Sequence, residues 1–135
     1  MGRKVLVGGV FSLLHPGHIF FLKAARRLGT SLVVVVAHDR TAGRKSGRLS
    51  FSAKDRKDMV GSLGFVDKVR VGHPSDMMKA VREEKPDVIA LGFDQDDNEI
   101  RKRLKAMGIK CKVVRIKKRL PGYSTSRIIR EIRKG

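Results

Sequence analysis

The stretch "KVLVGGVFSLLHPGHIFFLKAARRLGTSLVVVVA", residues 4 to 37, decides the architecture. Its opening, "KVLVGGV" (4–10), is an apolar run ended by glycines, which reads as a buried strand. Residues 17–28 carry apolar side chains at helical spacing: Ile19, Leu22 and Ala25 share one face, with Phe21 and Leu28 beside it. "SLVVVVA" (31–37) is rich in β-branched residues and apolar on both faces, the mark of a parallel strand covered on both sides. Strand, helix and buried strand in succession make a parallel unit with its helix laid across the sheet.

The rest of the chain repeats that alternation. Residues 38–51 are polar and basic with Gly43 and Gly47, and read as a loop. A helix is predicted over 52–63 with Ser52 as N-cap, and a strand over 66–72. A helix over 75–85 is capped by Ser75 and stopped by Pro86, and "DVIALG" (87–92) is another buried strand. A helix over 98–108 closes on Gly108, "KCKVVRI" (110–116) is the fifth strand, and an amphipathic helix over 124–134 ends the chain. The fold class is therefore α/β: a Rossmann-like, doubly wound, parallel five-stranded sheet in one domain spanning 1–135. Ligands of such sheets sit beyond the carboxyl ends of the strands. Three loops lie there: residues 8–18, 93–97 and 117–126.

Length and composition narrow the function. A chain of 135 residues with 41% apolar content buries an ordinary core. The single cysteine, Cys111, rules out an intramolecular disulfide. No apolar run is long enough to span a membrane, and the N-terminus lacks a signal-peptide layout, so a cytoplasmic protein is expected. Thirty-one Lys and Arg against thirteen Asp and Glu leave a net charge of +18. Such a field attracts either a nucleic-acid backbone or a small polyanionic substrate. The cations are spread along the chain, aromatics are few, and no nucleic-acid-binding signature accompanies them. Nucleic acid is thus the weaker reading.

The loop 8–18 holds the chemistry. His15 and His18 flank Pro16 and Gly17 at a helix entry, three apart and able to face the same side. The first turn of a helix offers unpaired N–H groups and a partial positive charge, where phosphate binds. Two imidazoles beside it can stabilise charge developing on phosphorus oxygens, and Gly17 allows close approach. Two alternatives stand: a metal pair, for which no third ligand has zinc-type spacing, and a pair of structural histidines. "STS" at 124–126 opens a second helix, as a phosphate site or as plain N-capping.

"GGVFSLLHPGH" resembles the first signature of the cytidylyltransferase-like nucleotidyltransferases, G-T-F-D-x-L-H-x-G-H. "RLPGYSTSRII" (119–129) resembles their second, R-T-x-G-I-S-T-T/S-x-I-I, and "SAKDRKDMVGSLGFVDKVRVG" (52–72) their intervening helix and strand. The likeness covers nearly the whole chain. It implies transfer of a nucleotidyl group, with His15 and His18 stabilising the transition state. It implies nucleotide contacts from Val10, Phe11, Pro16 and Gly17, and phosphate contacts from Arg119, Ser124, Thr125 and Ser126. Arg56 matches the family's helix arginine and is expected to reach the triphosphate. Two departures stand out: Val10 and Ser12 replace the family's Thr and Asp. The loop "GFDQ" (92–95) is similar to that of archaeal-type FAD synthases, which join FMN to the AMP part of ATP. That likeness puts Asp94 and Tyr123 by the ATP. Arg44 and Lys45 lie in the basic loop facing the same end and are candidates for the acceptor's phosphate. It further implies a divalent ion such as Mg2+ carried with ATP, no dedicated protein metal site, and a homodimer. The rival within the family is a cytidylyltransferase acting on glycerol 3-phosphate or another small phosphate. The rival outside it is a basic nucleic-acid-binding protein.

Overall fold

The computed structural model describes residues 2–45, 51–117, 130 and 132. The elements run β1 (Lys4–Gly9), α1 (Pro16–Arg26), β2 (Ser31–Val36), α2 (Asp39–Lys45), α3 (Ala53–Gly61), β3 (Lys68–Val71), α4 (Lys79–Glu84), β4 (Val88–Leu91), α5 (Asn98–Ala106) and β5 (Lys112–Arg115). All strand pairs are parallel, in the order β3-β2-β1-β4-β5. The chain winds outward from β1 through β2 to β3, then crosses back to β4 and on to β5. The reversal falls between β1 and β4, which is where a doubly wound sheet opens its crevice.

The period of two along each strand divides the core. Val5 and Val7 of β1, Leu32, Val34 and Val36 of β2, and Val88 and Ala90 of β4 pack on one face with Leu22, Ala25 and Val60 of α1 and α3. Leu6, Ile89 and Val113 face the other way, against Met78, Val81 and Leu104 of α4, its leading turn and α5. Helices thus cover both faces, as the apolar strands require.

The amino ends of the strands are locked by two aspartates. Asp67 Oδ2 accepts from Leu32 N at 2.8 Å, and Asp87 Oδ2 accepts from Lys4 N at 2.8 Å. Each side chain extends the ladder one step beyond its own strand and so fixes register. β1 pairs with β2 over six residues, from Lys4↔Ser31 to Gly9↔Val36. It pairs with β4 only at Val5↔Val88 and Leu6↔Ile89.

At the turn into β2, a Cβ on Gly29 would lie 2.3 Å from the Arg3 carbonyl oxygen and 2.8 Å from Val5 Cγ2. Backbone cannot yield as a flexible side chain does. Gly29→Ala is therefore expected to cost about 1–3 kcal/mol by overpacking, read as a lowered midpoint in urea. A midpoint equal to the parent's would show that β1 shifts freely at that end.

Two segments differ from the sequence reading. The 38–51 loop contains a short helix, α2, with Asp39 in its first turn. The helix expected from Ser75 starts at Lys79. His73 Nδ1 accepts from Ser75 N and Asp76 N, and Asp76 Oδ1 accepts from Met78 N, so side chains hold residues 75–78 in a turn. That helix also ends before Pro86, on Lys85 in the left-handed region (φ 50°). Of the expected helix at 124–134, only Arg130 and Ile132 are described, and both are helical.

Candidate active site

The site is built on the turn between β1 and α1. His15 is the N-cap of α1, with extended backbone, and Pro16 occupies the first helical position, where its missing N–H costs nothing. His15 Nδ1 accepts from Gly17 N at 3.1 Å. With Nδ1 an acceptor, the proton of neutral His15 sits on Nε2. His18, one helical turn on, stacks against His15 with ring centroids 3.8 Å apart and planes 26° apart. Phe11 meets His18 edge-on, with centroids 5.4 Å apart.

Both imidazoles are held neutral. Burial lowers the His15 pKa below the ordinary histidine value. Burial lowers that of His18 further, to about 4; the neighbouring His15 adds to the fall, and the Leu13 backbone carbonyl opposes it. The His18 Nδ1 is buried without a hydrogen bond of good geometry, so the carbonyl acts there chiefly as a nearby dipole. Negative charge placed beside the two rings would oppose both shifts.

A helix-capping Nδ1 is not by itself distinctive. His38 Nδ1 accepts from Arg40 N, and His73 Nδ1 from Ser75 N, in the loops after β2 and β3. What sets His15 and His18 apart is their mutual stacking and burial beside the sheet's switch point.

Arg56 is a correction. It does not reach toward a triphosphate; it is 1% exposed. Its Nε donates to Phe51 O at 3.1 Å, Nη1 to Val10 O at 2.9 Å and Ala37 O at 2.8 Å, and Nη2 to Asp39 Oδ1 at 3.0 Å. The same Asp39 oxygen accepts from Ala53 N at 2.7 Å. Arg56 thus joins the ends of β1 and β2 to the starts of α2 and α3. The Val10 carbonyl is turned inward to meet it. The next residue, Phe11, adopts φ 53°, a conformation that a bulky side chain rarely takes. The Phe11 ring lies over Gly9, where a Cβ would come within 2.8 Å of it. The importance of this arginine as a clamp, and of Gly9 beneath the ring, was not legible from motif spacing.

The G-F-D-Q loop closes on itself after β4. Gln95 Oε1 accepts from Gly92 N at 2.7 Å, and Gln95 N donates to Gly92 O at 3.2 Å. Asp94 is exposed at the tip. Asp96 and Asp97 serve the start of α5: Asp96 Oδ1 accepts from Asn98 N, and Asp97 pairs with Arg101 at 2.8 Å. Loops after β1 and β4 therefore flank the crevice from both sides of the switch point. Arg44 and Lys45 fall at the end of α2 rather than in a loop. Arg119, Tyr123, Ser124, Thr125 and Ser126 lie outside the described residues. Among the described residues, no three His, Cys, Asp or Glu side chains gather as metal ligands.

Comparison with known proteins shows the family. Residues 6–131 match the cytidylyltransferase-like family. The FAD synthase of Picrophilus torridus is 44% identical over 117 residues, covering 85% of this chain and 84% of its own. The FAD synthase of Aciduliprofundum boonei is 48% identical over 117 residues, covering 85% and 78%. A crystal structure from Thermoplasma volcanium, described as a lipopolysaccharide core biosynthesis protein, superposes with a TM-score of 0.79 at 43% identity, covering 86% of this chain and 97% of that one. A histidine pair at the switch point, a matching family profile along nearly the whole chain and relatives above 40% identity lead to one assignment: the chain belongs to the cytidylyltransferase-like family.

Proposed function

We propose that this protein is an FAD synthase, moving AMP from ATP to FMN in a single nucleotidyltransferase domain. A phosphate oxygen of FMN attacks the α-phosphorus of ATP. The bond from that phosphorus to the β-bridging oxygen breaks, and pyrophosphate leaves. The observation that carries the reading is the stacked pair, His15 and His18, at the N-terminus of α1 after the first strand of a parallel sheet. The FAD synthases at 44% and 48% identity support the choice of FMN as acceptor.

The residues divide the work as follows. The positive end of the α1 dipole favours phosphate charge; its first N–H groups are taken by His15, Gly17 N by Nδ1 and His18 N and Ile19 N by the carbonyl, and Pro16 and Gly17 leave the approach open. His15, its proton placed on Nε2, donates to an oxygen that gains charge in the transition state. His18 is neutral near pH 7, and a triphosphate beside it raises its affinity for a proton as the reaction needs one. Val10 and Phe11 border the nucleotide. Asp94 stands on the opposite wall, and Arg119, Tyr123, Ser124, Thr125 and Ser126 come from the second signature. Arg44 and Lys45 are the acceptor-phosphate candidates. ATP enters as its complex with a divalent ion such as Mg2+, which shields phosphate charge and orients the leaving group. The reading includes a homodimer in the cytoplasm; no described helix is long and apolar enough to cross a membrane.

The test is pyrophosphate release by the purified protein with ATP or CTP, a divalent cation, and FMN, glycerol 3-phosphate or no acceptor. Release with ATP and FMN, accompanied by FAD on a chromatogram, is expected. Release only with CTP and glycerol 3-phosphate would keep the histidine chemistry and overturn the acceptor. Silence throughout, with tight salt-sensitive nucleic-acid binding, would overturn both.

A further inference from the structure

We propose that Arg56 is a positioning residue for the histidine pair, acting through the backbone of Val10 and the ring of Phe11. The proposal rests on the histidine chemistry above and names what holds those rings in place. The chain of contacts is continuous. Arg56 Nη1 holds the Val10 carbonyl at 2.9 Å, and the same nitrogen holds Ala37 O at 2.8 Å at the end of β2. With that carbonyl drawn inward, the backbone reverses at Phe11, whose φ of 53° is strained for a phenylalanine. The ring then drops over Gly9, where any side chain would collide with it, and presents its edge to His18. His18 in turn lies on His15.

Such strain persists only where surrounding structure over-determines it. Here the constraint is a planar fork whose N–H groups reach four separate acceptors. An ammonium cannot span them. Lysine at position 56 would keep the charge and lose the geometry. The arginine therefore matters to the site in a way that charge alone does not supply. The anchor is also remote from the chemistry: it is buried, and its N–H groups are committed to Phe51, Val10, Ala37 and Asp39.

The experiment compares parent, Arg56→Lys and Phe11→Leu at a temperature where circular dichroism shows each fully folded. For Arg56→Lys, kcat for FAD formation is expected to fall about 10²-fold from misplacement of the rings, while KM for ATP moves less than about threefold. For Phe11→Leu, which leaves all four arginine contacts intact, a fall of about 10-fold is expected. A folded Arg56→Lys with the parent's kcat would overturn the proposal. If Arg56→Lys does not fold, Phe11→Leu decides through the ring it touches: a raised His18 midpoint with loss of kcat supports the proposal, and parental kcat or an unmoved midpoint overturns it. A second readout needs no turnover. Imidazole NMR of the parent is expected to show His18 titrating near 4, and that midpoint to rise toward the ordinary 6.5 in either variant as the ring leaves its buried stack. Unmoved midpoints in both would overturn the proposal even if the parent made no FAD. Moved midpoints in a parent without FAD synthesis would leave the positioning role standing and remove only the assigned reaction.

Discussion

Replacing His18 by alanine is expected to reduce kcat for pyrophosphate release by about 10²–10³-fold, the usual cost of removing one group aimed at transition-state charge. KM for ATP should change far less, because the positive end of α1 remains. The melting temperature should stay close to the parent's. His18 Nδ1 is buried without a well-made hydrogen bond, so the ring contributes little net polar stabilisation. Its loss opens space beside Phe11 and His15 but breaks no backbone ladder. The measurement is steady-state release with saturating ATP and FMN. A fall smaller than about fivefold would end the assignment of His18 to the chemical step. A large fall accompanied by collapse of the fold would assign the residue to structure instead.

Much of this site is readable from the chain because it is local. His15 and His18 sit three apart, and helix entry after a glycine-ended strand puts them together with no knowledge of the rest. The clamp is the opposite case. Arg56 meets Val10 and Ala37, which lie 46 and 19 positions away, and nothing between them in sequence announces the contact. The family likeness reads Arg56 as reaching outward to a triphosphate, yet it is among the most buried side chains of the described residues. The central strands β1, β2 and β4 were legible because each carries a run of buried apolar residues. The short α2 was not: Gly43 and a β-branched Thr41 weaken its helical signal, while Asp39, fixed by Ala53 N and Arg56, anchors its start. The delayed start of α4 depended on His73 and Asp76 capturing backbone N–H groups, a competition invisible to periodicity.

Glu84→Gln is expected to destabilise the protein by about 3–5 kcal/mol near pH 7, the cost of removing one partner from a buried ionic cluster. That corresponds to a fall of about 10–20 °C in Tm for a domain of this size. Glu84 closes α4 at the amino end of the sheet, and its side chain is 4% exposed. It accepts from Lys68 Nζ at 2.7 Å and Arg70 Nη1 at 2.8 Å, with Lys4 Nζ at 3.5 Å. Lys4 begins β1 and Lys68 begins β3, strands that do not pair because β2 lies between them. One carboxylate therefore ties the two across the middle strand. A neutral amide would leave three cations facing each other there.

The pH dependence carries the sign of a carboxylate. Burial alone would raise the Glu84 pKa, but the hydrogen bonds from Lys68 and Arg70, with the charges of Lys68 and Lys4, outweigh it and bring it from 4.5 down to about 2. A lowered folded-state value means the stabilisation is complete above the unfolded value near 4.5 and is lost as pH falls toward 2. The shift is worth about 3 kcal/mol. Urea melts of parent and Glu84→Gln between pH 7 and pH 2 should therefore converge at the acid end. A constant gap across that range would place the loss in packing rather than in charge.

The short seam between β1 and β4 has a consequence for how such an enzyme diversifies. Past Leu6↔Ile89 the two strands part, and Gly8 lies exposed on β1 within that fork. Among the described residues, a Cβ there would touch only the Val35 carbonyl at 3.8 Å, an ordinary contact. The amino ends, pinned by Asp67 and Asp87, behave as a chassis. The parted carboxyl ends behave as a socket whose rim can be rewritten, loop by loop, without disturbing the frame that carries it.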